Sequence, residues 1–516
     1  MHVRVLAWVF VLISMGACAV LPENSNQKPS TMFADTQGTT LGRAFLEQRE
    51  SHPERSGFLL LKNGLDALVA RAALARAAER SLDAQYYLLH DDLTGRLFLR
   101  ELLMAADRGV RVRLLLDDMG LQGREADKAT LATHPNIEVR IFNPFARNVS
   151  RLPQFFTRFG RVTRRMHNKT FTADGQVTVL GGRNIGDEYF EANAALEFGD
   201  LDVLAIGDVA RDVSLSFDAY WNHPLAYPAS SLLDGSHEDQ SIETLRSRYG
   251  LLISDARNAP YFRALENSPL AAKLVEGELP LLWGTADVVV DYPEKLAVPR
   301  DRNDLHLTKA LAPYFRELSQ ELTIFSPYFV PGKEGVEFFT TLVKRGVRVR
   351  ILTNSLASTD VLAVHAGYAR HRRALLRAGV EIYEMNRQQT SGSGVSSSQV
   401  LGRSKASLHA KSFVIDRRWV FIGSLNLDPR SVVENSEVGV VIDTPEIAES
   451  MAQWFDQDIQ RVAFKVTLEG DGHEEELRWS GYDGEVWQEF DVEPHSSFWQ
   501  RSTVNLLRLL PVDSQL

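Results

Sequence analysis

The chain repeats itself once, and that repeat limits what it can fold into. His167, Lys169 and Asp174 stand as His-x-Lys-x4-Asp, and His409, Lys411 and Asp416 restore the same spacing at an offset of 409 − 167 = 242 residues. A glycine and an asparagine follow each motif in register, Gly181 and Asn184 in one copy, Gly423 and Asn426 in the other. Upstream, DRGVRVRLLLDD (107–118) matches KRGVRVRILTNS (344–355), and downstream DVLAIGD (202–208) matches EVGVVID (437–443). A unit this long is a duplicated domain rather than a solenoid repeat. Helical patterns at 95–107 and 334–345 alternate with strand patterns at 82–87 and 322–328. The expected fold is therefore α/β. It consists of two tandem domains, each a mixed, mainly parallel sheet flanked by helices, with the active site between the halves.

The residue types say what such a site would do. His and Lys at i and i+2 of a strand point to one face. The strand 170–173 ends at Asp174-Gly175, a hairpin signal, and 177–180 returns; 412–415, Asp416 and 419–422 repeat this layout. Each half thus presents an imidazole and an ammonium beside a small-residue turn, Gly181-Gly182-Arg183-Asn184 or Gly423-Ser424-Leu425-Asn426. Asn184, Asn426 and the Ser424 hydroxyl are candidates to hold phosphate oxygens. Gly182 stands where the second copy has Ser424, so the halves should not act identically. Asp174 and Asp416 have two open roles, turn residue or tuning of the site. Asp202 and Glu437 begin matching strands, where a carboxylate can accept the Nδ1–H of a catalytic histidine and fix its tautomer.

The rest of the chain sets the compartment. Lys plus Arg is 57 and Asp plus Glu is 67, a net charge of −10, which disfavours a general nucleic-acid binder. Cys18 is the single cysteine, which excludes an internal disulfide and a zinc site built on several thiolates. Residues 1–17 read as a signal peptide, and Met15-Gly16-Ala17-Cys18 resembles a bacterial lipoprotein box with Cys18 as the lipidated residue. The expected location is the bacterial cell envelope, lipid-anchored and facing the periplasm, in either membrane. The domains read as a tether at 18–52, a first half at 53–225, a connecting segment at 226–300, a second half at 301–460 and a C-terminal extension at 461–516. Residues 384–404 are Ser/Gly-rich and read as a loop. The stretch 145–165 carries six arginines and four phenylalanines without an acid, the pattern of a segment lying on an anionic membrane.

MHNKTFTAD…GGRNIGDEYF and LHAKSFVID…GSLNLDPRS resemble the phospholipase D superfamily, whose signature is this duplicated motif. Within it they are most similar to bacterial cardiolipin synthases of the C-type class, a likeness covering roughly residues 55–460. The resemblance implies a phosphatidyltransferase working through a phosphohistidine, with His167 as nucleophile and His409 as acid and base. Lys169, Lys411, Asn184 and Asn426 would neutralise the phosphoryl oxygens, so neither cofactor nor metal is expected. It also implies phosphatidylglycerol as acceptor, with a second phosphatidylglycerol or phosphatidylethanolamine as donor, a membrane surface as partner and no nucleic acid. A phospholipid hydrolase and a periplasmic nuclease are the alternatives. Two intact motifs argue against a silent scaffold.

Overall fold

The computed structural model describes residues 21–508 apart from 122–124, 191–197, 233–240, 257–267, 388–406 and 471–474. Cys18 and most of the Ser/Gly-rich stretch lie outside the described residues. The first half comprises β1 (Ser56–Leu61), β2 (Ser81–Tyr86), β3 (Arg111–Asp117), β4 (Ile137–Phe142), β5 (Thr170–Ala173), β6 (Val177–Gly181), β7 (Asp202–Ile206) and β8 (Ala226–Pro228). Their order in the sheet is β1-β7-β6-β5-β2-β3-β4-β8. The second half comprises β9 (Leu282–Val290), β10 (Glu321–Phe325), β11 (Arg348–Thr353), β12 (Glu381–Met385), β13 (Ser412–Ile415), β14 (Trp419–Gly423), β15 (Val438–Asp443) and β16 (Ala463–Glu469). It repeats the order as β9-β15-β14-β13-β10-β11-β12-β16. Ser56 of β1 pairs with Gly284 of β9, which joins the halves into one 18-stranded sheet.

The mixed α/β sheet was expected, but the balance of pairings was not. In each half only two pairings are parallel, β2–β3 and β3–β4 or β10–β11 and β11–β12. The others are antiparallel, and in the β5–β6 hairpin the tight Asp174-Gly175 turn returns the strand against its predecessor. Helix α2 (Leu93–Asp107) crosses over between the parallel strands β2 and β3, while α1 (Gly64–Ala77) links β1 to β2 and α3 (Arg151–Thr157) lies between β4 and β5. Further helices are α4 (Asp208–Trp221), α5 (Gly332–Lys344), α6 (Leu362–Arg377) and α7 (Pro445–Val462). Each half has its own core, and a third core lies between them. It packs Phe58, Leu180, Val203 and Ala205 against Phe325, Val414, Val420 and Ile422.

Segments outside the repeat are integrated into it. The connecting stretch supplies β8 to the first half and β9 to the second. The presumed tether lies along the first half: Asn24 donates to the carbonyls of Pro224 and Ala226, and Arg113 donates to the Ser30 carbonyl at 2.9 Å. The C-terminal extension adds β17 (Glu476–Asp483), β18 (Val486–Phe490) and α8 (Phe498–Leu507). The reading of 145–165 as a membrane-facing patch is corrected. Arg147 and Arg151 pair with the buried Asp118, Arg165 pairs with Asp117, and Phe145 is fully buried. The absence of acids within the segment reflects acids supplied from the end of β3. No helix among the described residues is long and apolar enough to cross a membrane.

Candidate active site

Each His-Lys pair stands at the start of a central hairpin strand, at the end of the sheet where the parallel strands terminate. Gln85 near the end of β2 faces Thr170, and Phe325 at the end of β10 faces Ser412. The backbone just before each motif crosses to the other half. His167 donates its N–H to the Ser436 carbonyl at 2.9 Å, and His409 donates to the Gly199 carbonyl at 2.7 Å. The next residue in each partner strand is the acid that meets the imidazole. Glu437 lies 2.9 Å from Nδ1 of His167, and Asp200 lies 2.5 Å from Nδ1 of His409. Each histidine is thus oriented by a carboxylate from the opposite half, with Nε2 turned away from that carboxylate.

Glu437 was expected in this role. Asp202 was also expected, and the structure corrects it to Asp200. The carboxylate of Asp202 faces Arg71 at 2.8 Å and Arg183 at 3.5 Å, both buried. The error is one of register. Gly181 pairs with Asp202 and Gly423 pairs with Gly439, so Glu437 corresponds to Asp200, not to Asp202. A slip of two residues keeps the same face of a strand, and Asp-Leu-Asp offers an acid at both positions.

The difference between Gly182 and Ser424 follows from these acids. A Cβ on Gly182 would fall 2.2 Å from Oδ1 of Asp200, so the short acid needs a bare backbone there. The longer Glu437 instead accepts hydrogen bonds from Ser424 Oγ at 2.5 Å and Ser431 Oγ at 2.7 Å. The Ser424 hydroxyl is therefore committed to Glu437, which corrects its expected role as a phosphate ligand. Asn184 is also engaged: it accepts from Leu88 N–H at 3.2 Å and donates to Tyr189 Oη at 3.0 Å. Asn426 is buried, and its Oδ1 has no hydrogen-bond partner among the described residues. Asp174 and Asp416 sit at the far ends of β5 and β13, about 16 Å of extended chain from their lysines. Asp174 accepts the N–H groups of Glu79, Arg80 and Ser81, and Asp416 those of Ser319, Gln320 and Glu321. Both have positive φ, 52° and 50°. The structural role wins, and neither touches the histidines.

Sequence reading missed two aromatic rings. Tyr87 meets His167 edge-on at 4.9 Å, and Tyr189 meets His409 at 5.1 Å. They restrain the imidazoles from the side. Lys169 and Lys411 donate to the carbonyls of His167 and His409 at 2.6 and 2.5 Å, which folds both ammonium groups back toward the imidazoles.

The electrostatics are set by burial of two lysines and two carboxylates around the imidazoles. Burial pulls Lys169 down to about 7 and Lys411 down to about 8, against the pull of Glu437 and Asp200. Burial and the lysines lower both imidazoles, His167 well below its ordinary value. Burial pushes Glu437 up to about 7 despite Lys169. Burial also acts on Asp200, but His409 and Lys411 outweigh it and hold this acid down. The two His-carboxylate pairs are therefore unequal, one firm and one soft. Among the described residues, His90, Asp92 and Glu188 bring metal-type donors together. Their oxygens are engaged, Asp92 by the N–H groups of Gly95 and Asp187 and Glu188 by His90 at 3.1 Å.

Two buried imidazoles, two buried ammonium groups and two crossed carboxylates around one point match the duplicated motif. The family described as "Cardiolipin synthase, PLD-like domain" matches residues 71–215 and 314–459. The chain belongs to this phospholipase D-like family. Cardiolipin synthase C of Escherichia coli is 43% identical over 476 residues, which cover 92% of this chain and 99% of that protein. An uncharacterized protein of Helicobacter pylori is 35% identical over 80% of this chain and 81% of its own length. Among solved structures, phosphatidylserine synthase of Haemophilus influenzae superposes with a TM-score of 0.53 at 13% identity. That match covers 82% of this chain and 91% of the other. It shows a shared fold.

Proposed function

We propose that the chain is a phosphatidyltransferase that makes cardiolipin from phosphatidylglycerol and a second phospholipid. The observation that carries this reading is the crossed pairing of His167 with Glu437 and His409 with Asp200. It is supported by the 43% identity to a cardiolipin synthase across nearly the whole chain. The donor is phosphatidylglycerol or phosphatidylethanolamine. Nε2 of His167 attacks the donor phosphorus, and the P–O bond to the headgroup alcohol breaks. His409 gives that oxygen its proton from Nε2. The hydroxyl of phosphatidylglycerol then returns a proton to His409 as its oxygen attacks phosphorus and the P–N bond breaks. Lys169 and Lys411 neutralise the nonbridging oxygens, and Asn426 is the remaining amide beside them.

The choice of His167 as nucleophile draws support from its depressed basicity, which leaves a neutral ring with a lone pair. His409 faces the firmer carboxylate and is better able to hold a proton in passing. Cys18 is the proposed lipidation site. It stands six residues before Asn24, which is fixed beside Ala226 and so at the Phe142 end of β4.

The test is an acid quench with labelled donor, peptide mapping and mass spectrometry of products from defined lipid mixtures. Label on the 167 peptide with cardiolipin as product is expected. An activated donor should restore intermediate formation in His409→Asn and not in His167→Asn. Label on the 409 peptide would reverse the assignment. Phosphatidic acid as the sole product would make the chain a hydrolase.

A further inference from the structure

The C-terminal extension leaves apolar surface beside the site, and nothing in the proposed chemistry uses it. Helix α8 begins with a Ser497–Gln500 capping box, and its Val504 packs on Leu356 and Ala366. Its outer face holds Trp499, Thr503 and Leu506 at helical spacing, with Phe498 next to Trp499. Trp499 is 77% exposed, Phe498 66% and Leu506 64%. The β17–β18 hairpin lies alongside. Its Val486 and Trp487 are exposed, and His495, just before α8, faces Asp483 at the hairpin tip at 3.3 Å.

These residues sit at the site end of the second half. Met385 at the end of β12 pairs with Ala463, and Asn386 donates to the Tyr482 carbonyl at 3.1 Å, which places the hairpin tip beyond the ends of the parallel strands. That is the end from which His409 and Lys411 project. The loop under α8 also reaches the site: its Asp360 accepts from Tyr328 Oη at 2.7 Å, and the Asp360 charge is felt by Lys411. Val361, next in that loop, is exposed as well.

Charge completes the pattern. Arg370 donates to the Arg508 carbonyl at 2.7 Å, capping the end of α8. The exposed Arg508 side chain has no ion pair among the described residues, and it feels like charge from Arg372, Arg373 and Arg370 and opposite charge from Glu493. A helix with Trp, Phe and Leu outward and a surplus arginine at its end has the chemistry of an interfacial helix on an anionic bilayer. We propose that α8 and the β17–β18 hairpin seat the rim of the site on the surface of an anionic phospholipid bilayer. Trp499, Phe498 and Leu506 enter the headgroup boundary, and Arg508 lies over anionic phosphates. The choice of a bilayer as occupant rests on the lipid-transfer reading.

The test uses the full chain in vesicles of phosphatidylcholine with or without about one third phosphatidylglycerol, comparing wild type with Phe498→Ser/Trp499→Ser/Leu506→Ser and with Arg508→Gln. Any lipid anchor is common to all. Tryptophan fluorescence in vesicles of bromine-labelled lipid reads contact without requiring activity. Quenching in wild type and its marked loss in the triple variant are expected. Its apparent KM for vesicle lipid should rise at least tenfold, while turnover of a short-chain monomeric phospholipid stays unchanged. Arg508→Gln should weaken quenching about fivefold on anionic vesicles only, a difference that closes at high salt. Equal quenching in wild type and triple variant would overturn the proposal. So would an equal loss of short-chain turnover, which would place α8 in the chemistry. Intact quenching in a protein that makes no lipid product would preserve the docking surface and sink the phosphatidyltransferase reading instead.

Discussion

Asp200 and Asp202 are two residues apart and equally buried, yet their loss should have opposite signatures. In Asp200→Asn the group facing Nδ1 of His409, now 2.5 Å away, becomes a carboxamide. If its NH2 turns to the ring, the proton moves from Nδ1 to Nε2, and the ring can no longer pass a proton in both directions. A comparable wrong-tautomer substitution in a catalytic triad costs about 10⁴-fold in kcat, or about 5 kcal/mol of transition-state stabilisation. Folding should suffer little, since the amide is nearly isosteric. In Asp202→Asn the fully buried Arg71 loses its anion at 2.8 Å and keeps, among the described residues, the neutral partners Tyr86 Oη and the Ala67 carbonyl. Breaking one side of a buried ion pair costs about 3–5 kcal/mol of stability. The assay is phosphatidyl transfer per folded molecule with thermal melting in parallel. Asp200→Asn should melt near wild type and turn over about 10⁴-fold more slowly, whereas Asp202→Asn should melt several degrees lower and work normally while folded. Near-normal turnover in Asp200→Asn, or abolished turnover in folded Asp202→Asn, would refute the register that assigns the crossed pairs.

Lys169 and Lys411, held near 7 and 8 by burial, should lose their charge as pH rises, so kcat/KM should fall above about pH 8. Because their folded pKa values lie below the unfolded value, the folded state binds fewer protons, and their contribution to stability should rise with pH between about 7 and 10; melting curves of wild type and Lys169→Met across that range check the sign. Gly182→Ala should fold but displace Asp200, whose Oδ1 lies 2.2 Å from the new Cβ, and cut activity at least a hundredfold; Ser424→Gly, which only loosens Glu437, should cost less in the same assay. Asp174→Ala leaves three N–H groups at the start of β2 without their acceptor. It should lower the melting temperature with little change in turnover per folded molecule.

Much of this architecture was legible in the chain. The motif spacing marks the hairpins β5–β6 and β13–β14, and the repeated RGVRVR stretches mark β3 and β11. The two-domain plan follows from their offsets. Less legible was anything carried by contacts between distant segments. Asp200 is an acid beside another acid, and only the pairing of β6 with β7 says which one faces the imidazole. Tyr87 and Tyr189 look like any core aromatics until the rings meet the histidines. Arg147, Arg151 and Arg165 read as free because their acids, Asp118 and Asp117, stand 29 to 48 residues upstream. Exposure of Trp499 is likewise a property of the fold, since α8 buries Val504 and leaves the opposite face outward.

The crossed pairs bear on why a site of this kind benefits from two halves in one polypeptide. A symmetric homodimer of a single half would assemble two imidazoles as well, but its twofold axis would force both into identical surroundings. Which ring attacks and which carries the proton would then be decided only by how the substrate lands. Fusion removes that constraint. Here Asp200 with Gly182 and Glu437 with Ser424 form two matched sets, one in each half, and each faces the histidine of the other half. An exchange of one member alone produces a clash or a gap, so the sets can change only together. Covalent linkage therefore converts a site with two interchangeable sides into one with a built-in direction.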